Sequence, residues 1–125
     1  MKTINIEDDV LKHCAIKRAL NQNRISQITH VTDGATGIEK IEQAMAEGKP
    51  FQLLVVDMHF PKAAGEKPDS EAGLCVIKTL QEKGIQIPII VCSSDRLRIG
   101  GIAGCVHYHP SRDLYFDMKE ILEEL

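Results

Sequence analysis

Apolar residues along this chain come in two alternating rhythms. Short compact runs, Thr3-Ile4-Asn5-Ile6, Leu53-Leu54-Val55-Val56 and Pro88-Ile89-Ile90-Val91-Cys92, read as strands buried on both faces. Ile28-Thr29-His30-Val31-Thr32, closed by the turn pair Asp33-Gly34, and Gly104 to Tyr108 read as two further strands. Between them the apolar positions repeat at helical spacing. One stripe is Leu11, Ala15, Ile16, Ala19 and Leu20, stopped by Asn21-Gln22-Asn23. A second is Ile38, Ile41 and Met45, capped by Asp33 or Thr36 and stopped by Gly48-Lys49-Pro50. A third is Leu74, Ile77 and Leu80, closed by Lys83-Gly84, and the last is Leu114, Met118, Ile121, Leu122 and Leu125.

Strands alternating with helices predict a parallel sheet covered on both faces, within one domain spanning residues 1–125. Five strands and about five helical slots suit a flavodoxin-like, three-layer α/β/α fold with strand order 2-1-3-4-5. Ligands of such sheets sit at the carboxyl ends of the strands, at the switch point between strands 1 and 3. There the first strand releases Glu7-Asp8-Asp9 and the third ends on Asp57. Asp9 is placed to cap the first helix, leaving Glu7, Asp8 and Asp57 to converge on one crevice. Crowded carboxylates repel, a divalent cation relieves the repulsion, and Mg²⁺ takes one or two carboxylates together with phosphate oxygens and water.

Composition narrows the options. A net charge of −3, no Trp, two Tyr and three Phe argue against a nucleic-acid binder. No apolar run reaches membrane-spanning length, and Met1-Lys2-Thr3 leads straight into a strand, so the expected location is cytoplasmic. Cys14, Cys75, Cys92 and Cys105 form no C-x-x-C pair, which favours reduced, buried core thiols over a disulfide or zinc site.

Four pieces in order resemble the receiver domain of two-component response regulators: Ile6-Glu7-Asp8-Asp9; Leu54-Val55-Val56-Asp57-Met58 with Pro61; Pro88-Ile89-Ile90-Val91-Cys92-Ser93-Ser94; and Tyr108 to Pro110. The resemblance spans the whole chain. It implies Asp57 as phospho-acceptor, Glu7 and Asp8 as the acidic pair that joins Asp57 in holding Mg²⁺, and Ser93 as the switch hydroxyl. It also implies a histidine kinase or phosphotransfer protein as donor and a downstream protein target, with a homodimer as a further partner. The role is that of an acceptor, not an enzyme, with slow autodephosphorylation as its one self-catalysed step.

The pattern breaks in three places. Receivers carry a Lys on the fifth strand, which here is replaced by Tyr108 or His109, depending on whether Gly104 or Pro110 sets the alignment. The segment Met58 to Ala72 is long, and reads either as a mobile surface insertion or as a lid or partner-docking loop over the site, with His59 near the phosphoryl position. Asp95 to Ala103, interrupted by Gly100-Gly101, leaves room for a shortened fourth helix of little more than one turn. With no output domain after Leu125, the expectation is a stand-alone receiver signalling through protein–protein interaction. The main alternative is a degenerate receiver that binds partners without phosphorylation. A phosphohydrolase is disfavoured because such enzymes place a second Asp where His59 stands.

Overall fold

The computed structural model describes residues 1–125. Its elements run β1 (Thr3–Ile6), α1 (Val10–Gln22), β2 (Ile28–Val31), α2 (Gly34–Ala46), β3 (Leu53–Val56), β4 (Phe60–Pro61), β5 (Pro68–Asp69), α3 (Ala72–Glu82), β6 (Ile89–Ser93), β7 (Gly104–His107) and α4 (Tyr115–Glu123). Five strands form a parallel sheet in the order β2-β1-β3-β6-β7, which is the expected order once the small β4-β5 hairpin is set aside.

Alternation along the central strands divides the core in two. Leu54 and Val56 face one side with Ile4, Ile6 and Val91, packing under α2 and α3 through Ile41, Val76 and Leu80. Leu53 and Val55 face the other side with Ile90 and Cys92, packing under α1 and α4 through Ile16, Leu20 and Met118. Successive strand residues point to opposite faces, so a strand covered on both sides buries every side chain. That is why β1, β3 and β6 have no exposed residue.

Helix starts follow side-chain capping. The Asp9 carboxylate accepts hydrogen bonds from the backbone N–H of Leu11 and Lys12, and that of Asp33 accepts one from Thr36. The buried stripe of α1 differs from expectation, however. Leu11 is 77% exposed, and the inward position one turn before Ile16 is held by Lys12. Met45 and Leu74 are likewise on outer faces, where Ala44 and Val76 take the buried positions.

Three other expectations need correction. The Arg96 to Ala103 stretch forms no helix; Leu97, Ile99 and Ile102 pack against the core as irregular chain. Gly101, at φ +78°, turns the backbone where a helix would have to continue. The Met58 to Ala72 segment is anchored rather than a free insertion. Phe60 is fully buried, Phe60 pairs with Asp69 across the β4-β5 hairpin, and the Ala35 N–H donates to Lys62 O. Of the cysteines only Cys92 is buried; Cys14 is exposed, Cys75 and Cys105 are half-buried, and all four are free.

At Gly73 the first turn of α3 presses on the strand end that carries Asp57. Its N–H donates to Met58 O, and a Cβ there would collide with the Asp57 carbonyl and lie 2.7 Å from Met58 Cα. Backbone cannot yield as a side chain does. Gly73→Ala is therefore expected to destabilise by about 1–3 kcal/mol, measured by urea unfolding, and a neutral result would show that α3 slides freely.

Candidate functional site

Strand register assembles the site. Ile6 lies beside Val56 in the β1–β3 pairing, and Val56 beside Val91 in the β3–β6 pairing. The residues that follow, Glu7 and Asp57, therefore leave the sheet at the same rim, with Ser93 at the neighbouring strand end. Together with Asp8, Lys12, His59, Tyr108 and His109 they line an open crevice of about 770 Å³.

At its floor lies a cation that the sequence reading missed. Lys12 Nζ sits 2.8 Å from Asp57 Oδ2 and 3.2 Å from Glu7 Oε1. The Lys12 and Glu7 side chains are 5% and 1% exposed, and that of Asp57 is 14% exposed. The other Asp57 oxygen, Oδ1, accepts from the Met58 N–H at 2.6 Å, and Glu7 Oε2 accepts from the Asp9 N–H at 3.2 Å. The signal was present in the helical spacing, since Ile16, Ala19 and Leu20 project back by four, seven and eight residues to Lys12.

Charge and burial compete here. Burial pushes the Glu7 carboxyl up, with the Asp57 charge adding to it and Lys12 and the Asp9 N–H opposing, and the result is about 7. Burial works against the Lys12 ammonium, but the Glu7 and Asp57 carboxylates outweigh it and raise its affinity for the proton. Burial also pushes the adjacent Cys92 thiol up to about 12, so it stays a neutral core group.

The remaining expected residues are distributed around this floor. Asp8 is exposed at the crevice rim. Ser93 is 4% exposed and its Oγ accepts from the Asp95 N–H, leaving its one O–H free to donate. Tyr108 follows β7 directly, its N–H donating to Ser93 O, and its ring lies 5.5 Å from Lys12 Nζ. His109 is exposed and pairs through Nδ1 with the Ser111 hydroxyl, while His107 Nε2, on β7, donates to Ser94 O.

The layer behind the floor is polar and fully tied. Asn5 donates through Nδ2 to Val55 O and accepts through Oδ1 from His13. His13 stacks on His30 at 3.6 Å between ring centroids, and His30 Nε2 donates to Glu7 O. These bonds fix the backbone from which Glu7 projects.

The expected Mg²⁺ set fits this arrangement poorly. An ammonium already fills the point where the two carboxylates meet, Glu7 uses its second oxygen on the backbone, and no group of three or more His, Cys, Asp or Glu side chains is assembled to hold a metal. Mg²⁺ takes one or two carboxylates with water and phosphate oxygens; here an ammonium sits between Glu7 and Asp57, and of the expected set only Asp8, exposed at the rim, lies outside that ion-paired cluster.

No protein-family model matches the chain. Among curated proteins, 65 residues, 52% of this chain, are 28% identical to the osmosensing histidine protein kinase SLN1 of Saccharomyces cerevisiae, and they span only 5% of that protein's length. Among solved structures, the phosphorylated cyanobacterial phytochrome response regulator RcpA superposes with a TM-score of 0.71 at 18% identity, covering 98% of this chain and 91% of that one. The Mn(2+)-bound form of response regulator Rcp1 superposes with a TM-score of 0.68 at 17% identity, covering 100% of this chain and 94% of that one. With strand order, register and these superpositions in agreement, the chain has the fold of response-regulator receiver domains.

Proposed function

We propose that this chain is a receiver module of a two-component phosphorelay. Asp57 accepts a phosphoryl group from a histidine kinase or phosphotransfer protein, and the change is passed on by binding a downstream protein. The observation that carries this reading is the placement of Asp57: at the end of the central strand, on the floor of an open crevice, with a cation bonded to its carboxylate. In the transfer step an Asp57 carboxylate oxygen attacks phosphorus and the donor's P–O or P–N bond breaks. Its electron pair leaves with the donor group, and the product is an acyl phosphate. Positioning and charge neutralisation do most of such work, and here Lys12 supplies positive charge beside the acceptor. The Ser93 hydroxyl lines the same crevice with its O–H free; donated to a phosphoryl oxygen, it would draw the Ser94–Asp95 turn inward as a switch. The acceptor role involves no turnover beyond slow hydrolysis of the acyl phosphate by water.

One observation favours a second reading, that of a phosphorylation-independent interaction module: Lys12 already pairs with both Asp57 and Glu7. The two readings separate on one experiment. The protein and its Asp57→Asn variant are incubated with acetyl phosphate, and intact mass is recorded. Acetyl phosphate is expected to leave one phosphoryl group on the wild type and none on the variant, with acetate released. A folded wild type that gains no phosphoryl mass would sink the acceptor role and, with no metal affinity beside it, support the interaction module.

A further inference from the structure

We propose that the Lys12 ammonium is a built-in counter-cation that takes the place of a divalent metal in this crevice, so that the repulsion between Glu7 and Asp57 is relieved by the chain itself. Only its consequence for phosphoryl transfer rests on Asp57 being the acceptor; the metal exclusion stands on geometry alone.

Three arrangements converge on it. The ammonium bridges two of the three carboxylates in the expected metal set, Asp57 at 2.8 Å and Glu7 at 3.2 Å, and is almost wholly shielded from solvent, while the third, Asp8, is exposed at the rim. A second cation at that point would meet a like charge that cannot diffuse away, because Lys12 belongs to the buried stripe of α1 with Ile16, Ala19 and Leu20. The turn between β1 and α1 is then closed around it. Asp9 caps the helix through the Leu11 and Lys12 N–H groups, and Glu7 Oε2 takes the Asp9 N–H, which commits the second Glu7 oxygen to backbone. Finally, the fifth sheet strand is followed by an aromatic residue in place of a second cation. The Tyr108 ring lies 5.5 Å from Lys12 Nζ, where a π-face attracts an ammonium and a lysine would repel it. The positive charge at the crevice floor thus enters from α1, with the Tyr108 ring beside it.

Mn²⁺ is the probe, because free Mn²⁺ is counted by its paramagnetic resonance signal and bound Mn²⁺ broadens nearby amide resonances. Titrated into the full 125-residue chain, Mn²⁺ is expected to show no saturable binding and no selective broadening at Glu7, Asp57 or Met58. Lys12→Ala, which uncovers both carboxylates, is expected to gain at least tenfold in Mn²⁺ affinity, with broadening centred on those residues. Saturable binding to the wild type at that locus overturns the proposal, and so does a folded Lys12→Ala variant with no gain. If Lys12→Ala does not fold, the wild-type titration decides by itself. A parallel incubation with acetyl phosphate, with and without EDTA, isolates the functional consequence. The wild type is expected to label equally in both, whereas EDTA-sensitive labelling would contradict a self-sufficient Lys12. Absence of labelling in either would count against the acceptor reading while leaving the Mn²⁺ result intact.

Discussion

Replacing Lys12 with methionine is expected to lower folding stability by about 3–5 kcal/mol at pH 8, the loss typical of removing one partner from a buried ion pair. Lys12 is 4% exposed and bonded to both Glu7 and Asp57. Methionine keeps most of the stem, so the change removes charge without opening a large cavity, and two carboxylates are left facing each other. Part of that repulsion is relieved by protonating Glu7, because Lys12 is the main influence holding its carboxyl down against burial. The loss should therefore be smaller at pH 5 than at pH 8. Urea unfolding in EDTA at the two pH values, with unchanged m-values as the check on two-state behaviour, measures it. A cost below about 1 kcal/mol at pH 8, as for an exposed ion pair, would mean that water reaches the two carboxylates and that the crevice floor is not closed.

Much of the fold was legible because both-sided burial leaves a plain trace: Leu53 to Val56 has no polar residue, and nothing but a central parallel strand hides four consecutive side chains from water. The acidic rim was legible for the same reason, since the residue after such a run must emerge at the sheet edge. Lys12 was not, because a lysine beside Leu11 reads as a solvated neighbour of an apolar stripe. Helical spacing puts it on the inward stripe, but what makes that position tolerable, Glu7 and Asp57 2.8–3.2 Å away, is recorded in no local pattern. Phe60 was hidden similarly, a single apolar residue in a polar loop that becomes a core anchor only once its hairpin folds back. The Arg96 to Ala103 stretch shows the opposite case. Its apolar residues Leu97, Ile99 and Ile102 do reach the core, yet they do so without a helix, because Gly100-Gly101 releases the backbone.

Glu7 provides the second large effect, and its sign follows from which state holds the proton. In the folded protein burial raises its carboxyl from the ordinary 4.5 to about 7. Between those two pH values the native state binds a proton that the unfolded chain has released, so stability falls as pH rises through that window. The stabilisation linked to the protonated carboxyl is complete below about 4.5 and gone above about 7. Glu7→Gln keeps an acceptor for the Asp9 N–H and cannot ionise, so it should lack this slope. The stability of the wild type relative to Glu7→Gln is therefore expected to drop by roughly 3 kcal/mol between pH 4.5 and pH 8. Taking the difference cancels the other titrating groups, which the two proteins share. Paired urea titrations at half-unit pH intervals would trace the curve, and a difference that stays flat across the range would show that the Glu7 carboxyl is ionised throughout, held by Lys12 more strongly than burial opposes it.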